Sequence, residues 1–140
     1  MAGDSLLIGF GVTLPQSDSS QRAVQAACTM IKRFQLQVSN WQALYGIEAG
    51  LGIGVNRGEA IAGNVGSPTY MSYTIIGDAV NVAARLMQNA KANEILISEA
   101  VFQGLDTLVD ALQPEPLQPL TVKGKSTPLP VYRVRVLGAP

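Results

Sequence analysis

The chain has 140 residues, 47% hydrophobic and 14% charged, which suits one globular domain with a sizeable core and excludes a disordered chain. Ten basic residues balance ten acidic ones, so bulk charge makes no case for a nucleic-acid partner or a membrane surface. The absence of histidine excludes histidine triads and histidine metal sites, leaving carboxylates as the metal ligands.

Residues 5–11, Ser-Leu-Leu-Ile-Gly-Phe-Gly, read as a strand, followed by a polar loop around Pro15. Val24, Ala27, Cys28, Ile31 and Phe34 then recur at helical spacing and predict an amphipathic helix over 20–38. The lone Cys28 falls in that pattern and reads as a buried thiol with no internal disulfide partner. Residues 47–55 and 59–65 read as a glycine-rich hairpin turning at Asn56-Arg-Gly58. A strand over 71–76 leads to a helix at about 79–91, and 94–98 is a further short strand, with Ser98 placed to cap a brief helix after it. Residues 110–119 read as a Pro-rich loop, and the last strands are expected at 119–123 and 129–136. This order of hairpins and helices predicts an α+β sandwich, with helices on one face of a largely antiparallel sheet. No apolar run approaches the roughly 18 residues of a membrane span, and Met1-Ala-Gly-Asp lacks the basic and apolar regions of a signal peptide.

The segment Tyr73-Thr-Ile-Ile-Gly-Asp-Ala-Val-Asn-Val-Ala-Ala-Arg85 carries the most chemistry. Asn81 and Arg85 lie at i and i+4, so they leave the same face of one helical turn. An amide and a guanidinium aimed together near a helix start can hold charge developing on phosphate; a solvated helix face is the plainer reading. Asp78, after Gly77, reads as an N-cap, with metal ligation the alternative. Gly52-Ile-Gly-Val-Asn-Arg-Gly58 spaces its glycines as GxGxxxG with no helix following, which argues against a dinucleotide fingerprint and for close backbone approach.

The signature segment resembles that of the class III adenylate/guanylate cyclase catalytic domain, as do Leu51-Gly-Ile-Gly-Val-Asn-Arg-Gly-Glu-Ala-Ile-Ala-Gly-Asn-Val-Gly-Ser67 and Val122-Lys-Gly-Lys. The resemblance covers the C-terminal two-thirds of that domain. It implies the family's ferredoxin-like α+β sandwich, here as a single partial domain over residues 1–140. It also implies that Asn81 orients the ribose and that Arg85 stabilises phosphate charge, its planar fork matching phosphate oxygens. Thr74 matches the purine-reading position, where a hydroxyl can accept from the adenine amine; its plainer reading is a β-branched strand residue. Lys123 resembles the lysine on the triphosphate tail, with Lys125 the alternate and a solvated turn lysine the bland reading. Asp4 matches the second of two metal-binding aspartates; a terminal solvated residue is the other reading. The first aspartate's motif and the purine-reading lysine have no counterpart in this chain.

The implied reaction converts ATP to cyclic AMP and pyrophosphate, with two Mg2+ or Mn2+ ions activating the 3′-hydroxyl and neutralising the leaving group. The family's sites form at a head-to-tail dimer interface, so the resemblance implies a homodimer or a heterodimer with another cyclase domain. An isolated chain with one half-site is expected to show little activity. A cytoplasmic setting is expected, where ATP and reduced thiols are found, compatible with a larger membrane-anchored or sensor-linked protein. The competing classes are a non-catalytic dimerisation module, since fold alone implies no chemistry, and a nucleotide-binding regulator without metals.

Overall fold

The computed structural model describes residues 5–11, 17–46, 48–67 and 70–136. In chain order the elements are α1 (Ser19–Tyr45), β1 (Ile53–Val55), β2 (Ile61–Ser67), β3 (Tyr70–Ile76), α2 (Asp78–Asn89), β4 (Glu94–Ser98), α3 (Glu99–Gln103), α4 (Leu108–Leu112), β5 (Glu115–Leu120) and β6 (Leu129–Arg135). The α+β class stands. Four strands form a mixed sheet in the order β1-β4-β6-β5, and β2 and β3 form a separate two-stranded sheet. β1 runs parallel to β4, with Ile53 opposite Ile95, whereas β4 and β5 both run antiparallel to β6.

β4 organises the packing, because all five of its residues are buried. Successive strand residues point to opposite faces. Ile95 and Ile97 join Val24, Ala27 and Ile31 of α1, with Val101, Leu105 and Val134. Leu96 joins Val82 and Leu86 of α2, with Val122 and Val131. A strand buried on both sides needs cover on both, so helices lie on each face of the sheet rather than on one as expected. Arg133 ties three strands together, donating to Glu94 at 3.1 Å and Glu115 at 2.7 Å.

The glycine-rich segment is the main correction. Residues 48–55 do not pair with 59–65; β1 joins β4, and the hairpin is instead β2 with β3, Ile61 opposite Ile76. The reason lies in alternation along 50–55. Leu51, Ile53 and Val55 pack on the α1 side of the sheet. Gly50, Gly52 and Gly54 face the other way, where α2 and the residues after it press on the backbone. A Cβ at Gly54 would stand 2.4 Å from the Ala83 carbonyl oxygen and 2.5 Å from the Met87 nitrogen; one at Gly50 would stand 2.2 Å from the Ala92 Cβ. The glycines thus form a track for a helix rather than a turn, a use of close backbone approach that spacing alone does not distinguish.

Other boundaries also differ. Among the described residues, no strand forms over 5–11. α1 continues to Tyr45, seven residues past its expected end, and stops where Gly46, at φ 69°, donates to Gln42 O at 3.0 Å. Residues 110–119 hold the end of α4 and most of β5 in place of the expected loop. Pro116 and Pro119 fit there because β5 is an edge strand. The strand expected at 119–123 therefore ends at Leu120. Ser98 caps α3 as expected, accepting from Val101 N at 3.4 Å. Cys28 is half-buried rather than fully buried, at the rim of the stripe formed by Val24, Ala27 and Ile31.

Candidate functional site

The site is built on α2. The helix starts at Gly77, whose φ of 141° belongs to the region that favours glycine, and whose carbonyl accepts from Val80 N and Asn81 N at 3.1 and 3.3 Å. Gly77 therefore takes the cap position expected for Asp78. Asp78 becomes the first helical residue and caps nothing with its side chain. A carboxylate in the first turn still complements the helix dipole. The Asp78 carboxylate pairs with Lys125 Nζ.

Two contacts orient the start of α2 from the β1 side. Asn56 Nδ2 donates to Ala79 O at 2.9 Å. Gly58 lets the chain pass the Ala79 methyl, which would lie 3.0 Å from an added Cβ. Val82 and Leu86 then anchor the buried face of the helix. The exposed face carries Asn81 and Arg85, one turn apart, as the i, i+4 spacing predicts.

Asn81, Ala84, Arg85 and Gln88 form one wall of an open cleft of about 480 Å³, and Thr121, Val122 and Lys123 form the other. The structure thus brings Asn81, Arg85 and Lys123 together. It sets Lys125 apart from the cleft lining, held by Asp78. Thr74 lies on β3 opposite Gly63, in the strand that leads through Gly77 into α2. Asp4 lies outside the described residues.

Gln88 and Thr121 were not singled out from sequence. Gln88 could have been, since it continues the Asn81, Arg85 stripe at i+7. The contact from Asn56 to α2 carries no sequence signal, because Asn56 read as a turn residue.

The cleft's polar groups are a guanidinium, an ammonium, two amides and a hydroxyl. Such a set suits phosphate and sugar oxygens rather than a cation. Among the described residues no group of three or more Cys, Asp or Glu side chains could hold a metal ion. The resemblance implies divalent ions, and the described residues of this cleft do not fit one. Among the described residues, no helix is long and apolar enough to cross a membrane.

Comparison with known proteins matches this arrangement to one family. Residues 1–134 match the Adenylate and Guanylate cyclase catalytic domain. The chain is 32% identical over 137 residues to the terminal-differentiation specific adenylate cyclase of Dictyostelium discoideum, covering 94% of this chain and 6% of that protein. It is 30% identical over 134 residues to adenylate cyclase 1 of Rhizobium meliloti, covering 94% of this chain and 20% of that one. The adenylyl cyclase CyaB from P. aeruginosa superposes with a TM-score of 0.78 at 34% identity, over 89% of this chain and 64% of CyaB. The guanylyl cyclase Cya2 superposes with a TM-score of 0.77 at 25% identity, over 89% of this chain and 62% of that chain. The chain therefore spans a fifth or less of these two curated relatives and just under two-thirds of these solved neighbours. A match along residues 1–134, joined to this fold, means that the chain belongs to the adenylate and guanylate cyclase catalytic-domain family.

Proposed function

We propose that this chain supplies the phosphate- and ribose-holding half of a cyclase site, acting on ATP in an assembly with a second cyclase domain. The observation that carries this reading is the convergence of Asn81, Arg85 and Lys123 on one cleft. Arg85, at the cleft wall, offers a rigid fork of donors to the α-phosphate as charge develops there. Asn81, one turn earlier, holds the ribose so that its 3′-hydroxyl faces that phosphorus. Lys123, from the opposite wall, neutralises the triphosphate tail. Thr74 reads the purine, its hydroxyl accepting from the adenine amine. Adenylate cyclases among the relatives support ATP, and Cya2 keeps GTP as the alternative substrate.

The carboxylates that hold Mg2+ or Mn2+ come in this reading from the partner domain, with Asp4 a single further candidate. The isolated chain is accordingly a weak catalyst, and the setting is cytoplasmic, where ATP is available.

The test is nucleotide cyclisation with ATP or GTP and manganese, by the chain alone and mixed with a cyclase protomer that keeps its metal aspartates but lacks its arginine. Cyclic AMP formed in the mixture, and reduced by about 10²- to 10³-fold in Arg85→Ala, is the expected result. Full turnover by the Arg85→Ala mixture, with the dimer intact, would remove this cleft from the reaction and favour a dimerisation module. Binding of an ATP analogue without magnesium, with no turnover in any mixture, would favour a nucleotide-binding regulator. Cyclic GMP as the main product would overturn the ATP assignment alone.

A further inference from the structure

Lys123 stands on a turn whose attachment to α2 is unusually well specified. Lys125 N donates to Val122 O at 3.0 Å, closing a four-residue turn. Gly124 holds its third position at φ 86°, with open space around it, as a type II turn requires. Lys123 is therefore the exposed corner of the turn. Both of its shoulders are fixed to the same helix. Val122, 8% exposed, packs with Val82 and Leu86, and Lys125 pairs with Asp78. Asp78, Val82 and Leu86 follow one another at i, i+4 and i+8, so they form a single stripe along α2. Asn81, Arg85 and Gln88 form the adjacent stripe, which lines the cleft. One stripe thus grips the turn while its neighbour lines the cleft.

From this arrangement we infer that Asp78 and Lys125 are positioning residues, a clasp that seats the Val122–Lys125 turn on the first turn of α2 so that Lys123 is held across the cleft from Asn81 and Arg85. The inference rests on the cyclase reading of the cleft. The side chain of Asp78 is 65% exposed and that of Lys125 35%. An ion pair so exposed contributes little to folding stability. Its effect is geometric. With the pair closed, one lysine of Val-Lys-Gly-Lys faces the cleft and the other is engaged elsewhere. With the pair open, the turn keeps only the Val122 anchor, and both ammonium groups become mobile. The clasp thereby also assigns the two lysines distinct tasks, which their spacing leaves open.

The experiment is a double-mutant cycle on the full chain, mixed with the metal-competent partner, using Asp78→Asn, Lys125→Gln and the pair together. Each single change should raise KM for ATP about five-fold while kcat holds, and the double change should be no worse than either single one. Asp78→Glu, which keeps the charge, should restore most of the loss. Raised salt should move the wild-type KM toward that of the variants, because an exposed pair is screened. Hydrogen exchange at the Lys125 amide is the readout independent of turnover, and it should accelerate in both single variants. Unchanged KM and unchanged exchange in Asp78→Asn would overturn the clasp, as would additive effects in the cycle. If exchange responds while no mixture makes cyclic nucleotide, the clasp stands as geometry and the cyclase reading falls.

Discussion

Gly54→Ala tests the seating of α2 directly. The added methyl would stand 2.4 Å from the Ala83 carbonyl oxygen, 2.5 Å from the Met87 nitrogen and 2.8 Å from the Leu86 Cβ. Two of these are helix backbone, which cannot rotate aside. Ordinary contact begins near 3.4 Å, so α2 must withdraw by about 1 Å or β1 must bend away by as much. Either movement loosens Val82 and Leu86 against Leu96 and Val131. Overpacking of this kind costs about 1–3 kcal/mol, exceeding the entropic gain of alanine over glycine in a strand. Arg85 and Asn81 travel with the helix, and a displacement of about 1 Å in a positioned group can lower turnover by about 100-fold. Urea unfolding followed by far-ultraviolet circular dichroism measures the first effect, and cyclisation in the mixed assembly the second. Gly58→Ala is the control, since its added Cβ meets only the Ala79 side-chain methyl closely, at 3.0 Å, and should cost less. A Gly54→Ala chain as stable as the parent, with equal turnover, would refute the glycine track as the reason these residues are glycine.

Further outcomes are expected. Leu86→Ala removes a side chain only 1% exposed between α2 and the sheet and should destabilise the fold by about 2–5 kcal/mol in the same unfolding assay. Asn56→Ala removes the donor to Ala79 O and should cost about 1 kcal/mol, with a fall in turnover larger than that loss of stability explains. The Arg133 hydrogen bond and charge hold the Glu115 carboxyl below its usual range. The associated stability is present above the ordinary value of 4.5 and is lost as pH falls through the lowered one, so Glu115→Gln should flatten the acid limb of the stability profile. Burial pushes the Cys28 thiol above its ordinary 9.0, against the pull of Lys32. Iodoacetamide should therefore modify Cys28 more slowly in the folded chain than in urea at pH 8; equal rates would contradict its burial.

The helix face that lines the cleft is more legible in sequence than the sheet that supports it. Asn81 and Arg85 could be placed because helical periodicity fixes which residues share a face once Gly77 and Asp78 mark the start of the helix. The glycine-rich segment reads as a hairpin because alternating glycines serve equally in a tight hairpin and under a helix, and only the position of α2 decides. β5 was hidden by Pro116 and Pro119, which argue against a strand unless it is known to lie at an edge. The two lysines of Val-Lys-Gly-Lys could not be told apart, since their difference is a contact with Asp78, 47 residues distant in sequence. Residues 5–11 show the converse, a strand-like composition over which no strand forms among the described residues.

The two margins of the four-stranded sheet have opposite capacities for growth. β5 offers no amide hydrogen at Pro116 or Pro119, two of its six residues, and its ladder with β6 shifts register between Leu117 and Leu120. A strand approaching from that side would meet missing donors and a broken repeat. β1 carries no proline and has its hydrophobic residues already turned into the core. Among the described residues, β1 is therefore the margin of this sheet that keeps its full set of amide donors, and it is the margin beside the glycine track.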